Sequence, residues 1–398
     1  MQELFSFQQN LTNQVGSDWF RFLYDRLPKE ERMIGIKGLR GVGKTTLLLQ
    51  YLRYKWKNPE TSLYITADHP YFYQNSLFET AGEWERSGGA LLLIDEIHKY
   101  ANWSRELKLI YDGFPRLKII FTSSSALDLY RGESDLSRRL ISLILPGLSF
   151  REYLSFHDII DYPVVSLADI LQSHGEISRE ITSTIKILPH FKNYISSGYF
   201  PFSKPNQPEF TTQKLIQVIN TILETDLAYV KDYSAANITK IKKILGVIAA
   251  SAPFEPNISK IAQRLNMGRD TVNQYLRHLQ DAYLLILANK STRGIGGLQK
   301  PDKIYIENTA FTHALQLHPE VGTLRETFFI NQLRNSGYKI SLSEKGDFFV
   351  DEKYIFEIGG RNKEMAQIRG LENAFLALDD IESGFGVRLP LWLFGFLY

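Results

Sequence analysis

The fold class predicted for this chain is α/β, built on a parallel sheet, and three stretches of sequence predict it. Met33–Ile36 is an apolar run that opens into Gly38-Leu-Arg-Gly-Val-Gly-Lys-Thr45 and then into a helical pattern. Ala90–Ile94 is a second apolar run, ending in Asp95-Glu96, and Leu117–Phe121 is a third, ending in Thr122-Ser-Ser-Ser125. Short continuous apolar runs alternating with amphipathic stretches belong to strands buried on both faces and joined by crossover helices.

In the first stretch, Gly38 and Gly43 bracket the pattern G-x-x-x-x-G-K-[ST] between a strand and a helix. This is the setting of a phosphate-binding loop. With Gly41, they let the backbone curl so that successive N–H groups converge on one anion, and the helix start adds its partial positive charge. Lys44 then reaches the β- and γ-phosphates, and the Thr45 hydroxyl is placed to ligate Mg²⁺. The expected ligand is ATP with Mg²⁺, held by Gly38, Arg40, Gly41, Val42, Gly43, Lys44, Thr45 and Thr46. In the second stretch the strand delivers two carboxylates: Asp95 to hold the metal and Glu96 to polarise the water that attacks the γ-phosphate. The hydroxyls ending the third stretch, Thr122, Ser123 and Ser124, are candidates to sense the γ-phosphate, with Ser123 at their centre.

A length of 398 residues with 44% hydrophobic content suits two or three domains with packed cores. The absence of cysteine excludes a disulfide framework and thiolate metal sites and fits a cytoplasmic location. The first ten residues have neither a basic nor an apolar block, so no secretion signal is expected. No apolar run approaches the roughly 20 residues of a spanning helix, so no membrane segment is expected either. Net charge is only +2, but residues 236–306 hold eleven basic against four acidic residues. One basic module therefore sits in an otherwise acidic chain.

Taken in order, residues 5–27 read as one or two amphipathic helices, with Leu11, Val15, Trp19, Phe22, Leu23 and Leu27 near helical spacing. A helix follows the glycine loop from Lys44, a buried strand is expected over 62–68, helices over about 75–87 and 105–111, and the two further strands as above. Then comes Ser134-Asp-Leu-Ser-Arg-Arg-Leu-Ile-Ser-Leu-Ile-Leu-Pro-Gly-Leu-Ser-Phe-Arg-Glu-Tyr-Leu154. Taken with Gly38 to Thr45, Asp95-Glu96-Ile97-His98 before Trp103, and Thr122–Ser125, this segment resembles a bacterial and archaeal family of AAA-superfamily ATPases. In that family a P-loop core is followed by a Leu-Ser-Phe-Arg-Glu segment, a winged helix and a domain with a restriction-nuclease-like fold. The resemblance implies four parts: an ATPase core over 1–155, a helical lid over 156–235, a winged helix over 236–310 and a small α/β nuclease-like domain over 311–398. It also implies that Arg139 matches the family arginine, which would touch the γ-phosphate from its own or a neighbouring subunit of a homo-oligomer.

The 236–310 segment supports its part independently. Ile238–Ala250, Asn257–Leu265 and Arg269–Leu279 have helix-turn-helix spacing around Met267-Gly268, and two short strands flank a glycine-rich basic loop. Arg269, Asn273 and Arg277 would face a duplex groove, and Arg293 and Lys300 would meet phosphates. Docking of a protein partner is the alternative. In the last part a helix is expected over 323–336, strands over 338–342, 347–350 and 354–358, a helix over about 364–378 and a strand over 389–397. The resemblance assigns Glu326, Asp347 and Glu357 to a Mg²⁺ site, with Gly359 where a lysine should stand and Lys363 as its substitute from a loop. This implies a degenerate nuclease fold. Two further readings stay open: Asp95-Glu96-Ile97-His98 also spells a helicase box, and a nucleotide-gated scaffold would need the same loop without fast hydrolysis.

Overall fold

The computed structural model describes residues 1–124, 136, 138–203, 207–231, 233–250, 256–290, 300–316 and 318–398. They form two compact units, Met1–Gly147 with Tyr229–Lys231, and Leu148–Ala228 with Asp232–Tyr398.

The first unit is a five-stranded sheet of β1 (Met33–Lys37), β2 (Ser62–Thr66), β3 (Leu91–Asp95), β4 (Lys118–Ser123) and β5 (Ile141–Ile144), in the order β2-β3-β4-β1-β5. Every pairing is parallel. β1 and β3 are buried at every position, as continuous apolar runs require. Helices Leu77–Arg86 and Trp103–Gly113 cover the sheet through Leu77, Ala81, Trp84, Leu107 and Ile110. The edge of β2 is closed by a side chain. Gln8, on the helix Gln2–Gln14, accepts from the Tyr64 N–H at 2.6 Å and donates to the Ser62 carbonyl at 3.3 Å, as a neighbouring strand would. β5 has no counterpart among the strands expected from the sequence. It is the other edge, and its Ile141 and Ile144 are exposed.

The second unit opens on the Leu148-Ser-Phe-Arg-Glu152 segment, and the structure gives that segment a role. Ser149 caps the helix Phe150–Phe156 and forms a reciprocal capping box with Glu152. The Ser149 hydroxyl and the Arg151 guanidinium also donate to the Tyr398 carbonyl, at 2.7 and 3.0 Å. Phe150 packs edge-on against Phe396, and a Cβ on Gly395 would collide with it. Helices then carry the chain to Ala235–Ala249, Ile258–Arg264 and Arg269–Asp281, followed by the antiparallel pair β6 (Leu285–Ala288) and β7 (Lys303–Ile306). The last sheet, β8 (Ile340–Leu342), β9 (Phe348–Val350), β10 (Tyr354–Gly359), β11 (Ala374–Leu378) and β12 (Arg388–Pro390), runs in sequential order, antiparallel from β8 to β10 and parallel from β10 to β12.

Two expectations fail here. The helix over 364–378 is instead a series of turns leading into β11, because Gly370 and Asn373 take left-handed backbone and Ala374–Leu378 is a buried strand between β10 and β12. The strand over 389–397 ends at Pro390, and the chain continues as a buried 3-10 helix, Leu391–Phe396. Among the described residues, no helix is long and apolar enough to cross a membrane.

Candidate functional site

β1 ends at Lys37, and the loop beyond it turns into the helix Lys44–Gln50 through Gly43, whose φ of 97° is left-handed backbone that glycine adopts without strain. Gly38 is required for a different reason: a Cβ there would collide with the Leu145 carbonyl oxygen just past β5. The buried Lys44 ammonium donates to the carbonyls of Gly38 and Leu39, at 2.9 and 3.0 Å, and so lies within the cradle that a phosphate would enter. Arg21 holds the loop from outside. This buried guanidinium donates to the carbonyls of Val42, Pro146 and Gly147, at 2.5, 2.8 and 3.0 Å. The sequence signal for Arg21 was a lone cation inside an aromatic stretch, Trp19-Phe-Arg-Phe22.

The loop meets the end of β3. Thr45 Oγ1 donates to Asp95 Oδ2 at 2.5 Å, Tyr64 donates to the same oxygen at 3.0 Å, and Thr122 donates to Oδ1. Burial, and then the Asp95 charge, push the Tyr64 phenol far up, so it stays a donor. Glu96 sits in left-handed backbone, φ 51° and ψ 41°, where a non-glycine residue is strained. Its N–H donates to Thr122 Oγ1 at 3.1 Å. Its Oε2 accepts from Ser124 at 3.1 Å and lies 3.4 Å from His98 Nε2 and 3.8 Å from Arg40 Nη2.

The structure thus gathers Arg40, Lys44, Thr45, Asp95 and Glu96. Two other expected residues lie elsewhere in this chain. Thr122 and Ser124 are the hydroxyls that reach the carboxylates, and strand alternation turns Ser123, between them, to the opposite face. Arg139 is not drawn to this cluster. It forms a two-pronged pair with Asp112, at 2.8 and 2.9 Å, on the helix Trp103–Gly113. Tyr64 was not anticipated because it lies outside the nucleotide motif, and His98, read only as part of Asp95-Glu96-Ile97-His98, was given no role of its own.

Residues 30–154 match the AAA domain family. The matched segment spans β1 to β5 and the glycine loop. Residues 188–321 match a domain family of unknown function. An uncharacterised protein of Methanocaldococcus jannaschii is 26% identical across 87% of this chain and 81% of its own length. An uncharacterised protein of Haemophilus influenzae is 25% identical across 84% and 81%. Among solved structures, the Walker-type ATPase of Pyrococcus abyssi is similar at a TM-score of 0.41 and 14% identity, over 72% of this chain and 91% of that one.

Outside the segment that matches AAA domains, the residues assigned to a second site also converge. Glu326, on the helix Val321–Asn335, accepts from Lys303 and Tyr305 of β7, both at 2.6 Å. Asp347 Oδ2 accepts from the Ile358 N–H at 2.7 Å, and burial first, then Glu326 and Glu357, push its carboxyl up to about 6. The turn after β10 folds back through a Lys363 N–H to Gly360 carbonyl bond of 2.9 Å and brings Lys363 Nζ to 2.5 Å from the buried Glu357 carboxylate. A Cβ on Gly359 would lie 2.5 Å from Lys363 Cβ, so the lysine stem fills the space that the glycine leaves. Even so, among the described residues no three His, Asp or Glu side chains are arranged to hold a metal ion.

Of the residues expected at a duplex, Arg269, Asn273 and Lys300 line one cleft of about 770 Å³ with Asn257 and Ser259 at the start of the helix Ile258–Arg264. Asp270 and Asp302 line it too. Arg277 lies two turns along the helix from Arg269 and is not in that lining, and Arg293 falls outside the described residues.

Proposed function

We propose that this chain hydrolyses ATP in the unit that contains β1 to β5 and passes its nucleotide state to a winged helix over 236–310, which binds duplex DNA. One observation carries the first part: Thr45 of the loop and Asp95 of β3 share a 2.5 Å hydrogen bond, with Glu96 beside them. Lys44 would bind the β- and γ-phosphates, and Glu96 would take a proton from the attacking water at its carboxylate. Thr45 and Asp95 would hold Mg²⁺, which supplies charge neutralisation at the phosphates when bound. The test is phosphate release from ATP, which should require Mg²⁺ and stop with a chelator. ATP binding without release would move the reading to a nucleotide-gated scaffold. The mixed last sheet speaks against a helicase with two parallel-sheet motor domains.

The three helices and the β6–β7 pair support the duplex reading, and the surplus of basic residues over 236–306 favours phosphate contacts over base contacts, although the Asp270 and Asp302 carboxylates would repel phosphates from the cleft itself. Affinity is expected to fall steeply with salt, and Arg293→Ala or Lys300→Ala should each reduce the slope of log K against log salt by about one. No binding to any duplex at low salt would favour protein docking instead.

The last sheet is proposed not to cut DNA, although Lys363 reaches Glu357. Glu326 is engaged by Lys303, and Glu357 by Lys363, so two of the three carboxylates already face ammonium groups. Supercoiled, linear and single-stranded DNA should remain intact with Mg²⁺ or Mn²⁺ and ATP. Nicking that both Glu357→Ala and Lys363→Ala stop would overturn this and make Lys363 the displaced catalytic lysine.

A further inference from the structure

We infer that His98 is a positioning residue for hydrolysis, acting on Glu96 through the Ser124 hydroxyl; this rests on the ATPase reading above. A serine hydroxyl has one proton, and Ser124 gives it to Glu96 Oε2 at 3.1 Å. Its 3.0 Å contact with His98 Nε2 must then be one it accepts, so the imidazole carries its proton on Nε2. The result is a directed chain from His98 Nε2–H to Ser124 Oγ–H to Glu96 Oε2.

The first two members of this chain are fixed by burial. His98 is 1% exposed, in the turn Ile97–Lys99 directly after Glu96, and Ser124 directly follows β4, itself buried. Glu96, by contrast, is a strained residue whose side chain keeps partial exposure. A carboxylate in that position needs lateral support if it is to face a water in one orientation. Ser124, His98 and Arg40 all approach Oε2. Among the described contacts none falls on Oε1, so Oε1 is the oxygen this arrangement presents to the attacking water.

The test compares His98→Leu, His98→Gln, Ser124→Ala and the double variant His98→Leu with Ser124→Ala. Steady-state ATP hydrolysis, ATP affinity by calorimetry and melting temperature are measured for each. Losing the relay should lower kcat about 10-fold in each of His98→Leu and Ser124→Ala, with ATP affinity within about twofold of wild type, because Lys44 and Asp95 are untouched. The double variant should lose no more than the worse single one, since both remove the same chain. Glutamine, whose amide nitrogen reaches where Nε2 stood, should recover most of the rate. A purely structural role for His98 would move the melting temperature without this pattern. If His98→Leu fails to fold, Ser124→Ala and His98→Gln decide: a slowed serine variant with an active glutamine variant supports the relay. Full activity in Ser124→Ala, or losses that multiply in the double variant, would overturn the inference while leaving the ATPase reading intact. A wild-type chain that binds ATP and releases no phosphate would overturn both.

Discussion

Lys44→Ala is expected to remove measurable ATP binding. The ammonium is buried inside the loop, 2.9 and 3.0 Å from two loop carbonyls, and in the AAA domain no other side chain is proposed to reach the β- and γ-phosphates from within that cradle. Two charge-assisted bonds at about 1.5–2 kcal/mol each would disappear, which corresponds to roughly 10²–10³-fold in Kd. Calorimetry on wild type and variant, with melting curves to check that the loop survives, reads the effect. Equal affinities would sink the assignment of the loop.

The second large effect separates binding from turnover. Glu96→Gln should keep ATP bound and lower hydrolysis by about 10²-fold or more, since an amide cannot accept the proton of the attacking water. The substitution preserves shape, and its amide oxygen can still accept from Ser124, so the left-handed backbone at this position has no new reason to relax. Asp95 and Thr45 are unchanged and would continue to hold the metal. Hydrolysis at the wild-type rate would mean that another group activates the water.

The elements that could be read from the sequence were those whose physical cause is local. A strand buried on both faces announces itself as an apolar run, and a glycine loop between a strand and a helix has few other uses; β1, β3, β4 and the Lys44 to Glu96 constellation were legible for that reason. What escaped was set by distant partners. Arg21 holds a loop 21 residues away and a turn 125 residues away, and its aromatic setting marks it as unusual without indicating either partner. Among Thr122, Ser123 and Ser124 the sequence could not choose, because only the pairing with β3 decides which parity of β4 faces Asp95. β5 hid because an edge strand with exposed isoleucines lacks the continuous burial that marked its neighbours. The helix expected over 364–378 had the composition of a helix, and two left-handed residues and a slot between β10 and β12 overrode it. The return of Lys363 depended on a turn geometry that Gly359-Gly360 permits without dictating.

The clasp between Ser149, Arg151 and Tyr398 joins residues 249 positions apart in the chain. Contacts of such separation form late, because the loop-closure entropy must be met before they stabilise anything. On the ribosome, β1 to β5 and the nucleotide loop have all emerged once residue 147 has cleared the exit, and that sheet can assemble while the rest is still being made. The Phe150–Phe156 helix is made immediately afterwards with a local Ser149–Glu152 cap, and Phe150 can meet Phe191 and Tyr194 soon after, but the bonds of Ser149 and Arg151 to Tyr398 and the packing of Phe150 on Gly395 and Phe396 wait for the last strand and its 3-10 helix. Until then one side of Phe150 lacks its cover, so the helix that opens the second unit is expected to stay loosely docked until the closing segment arrives.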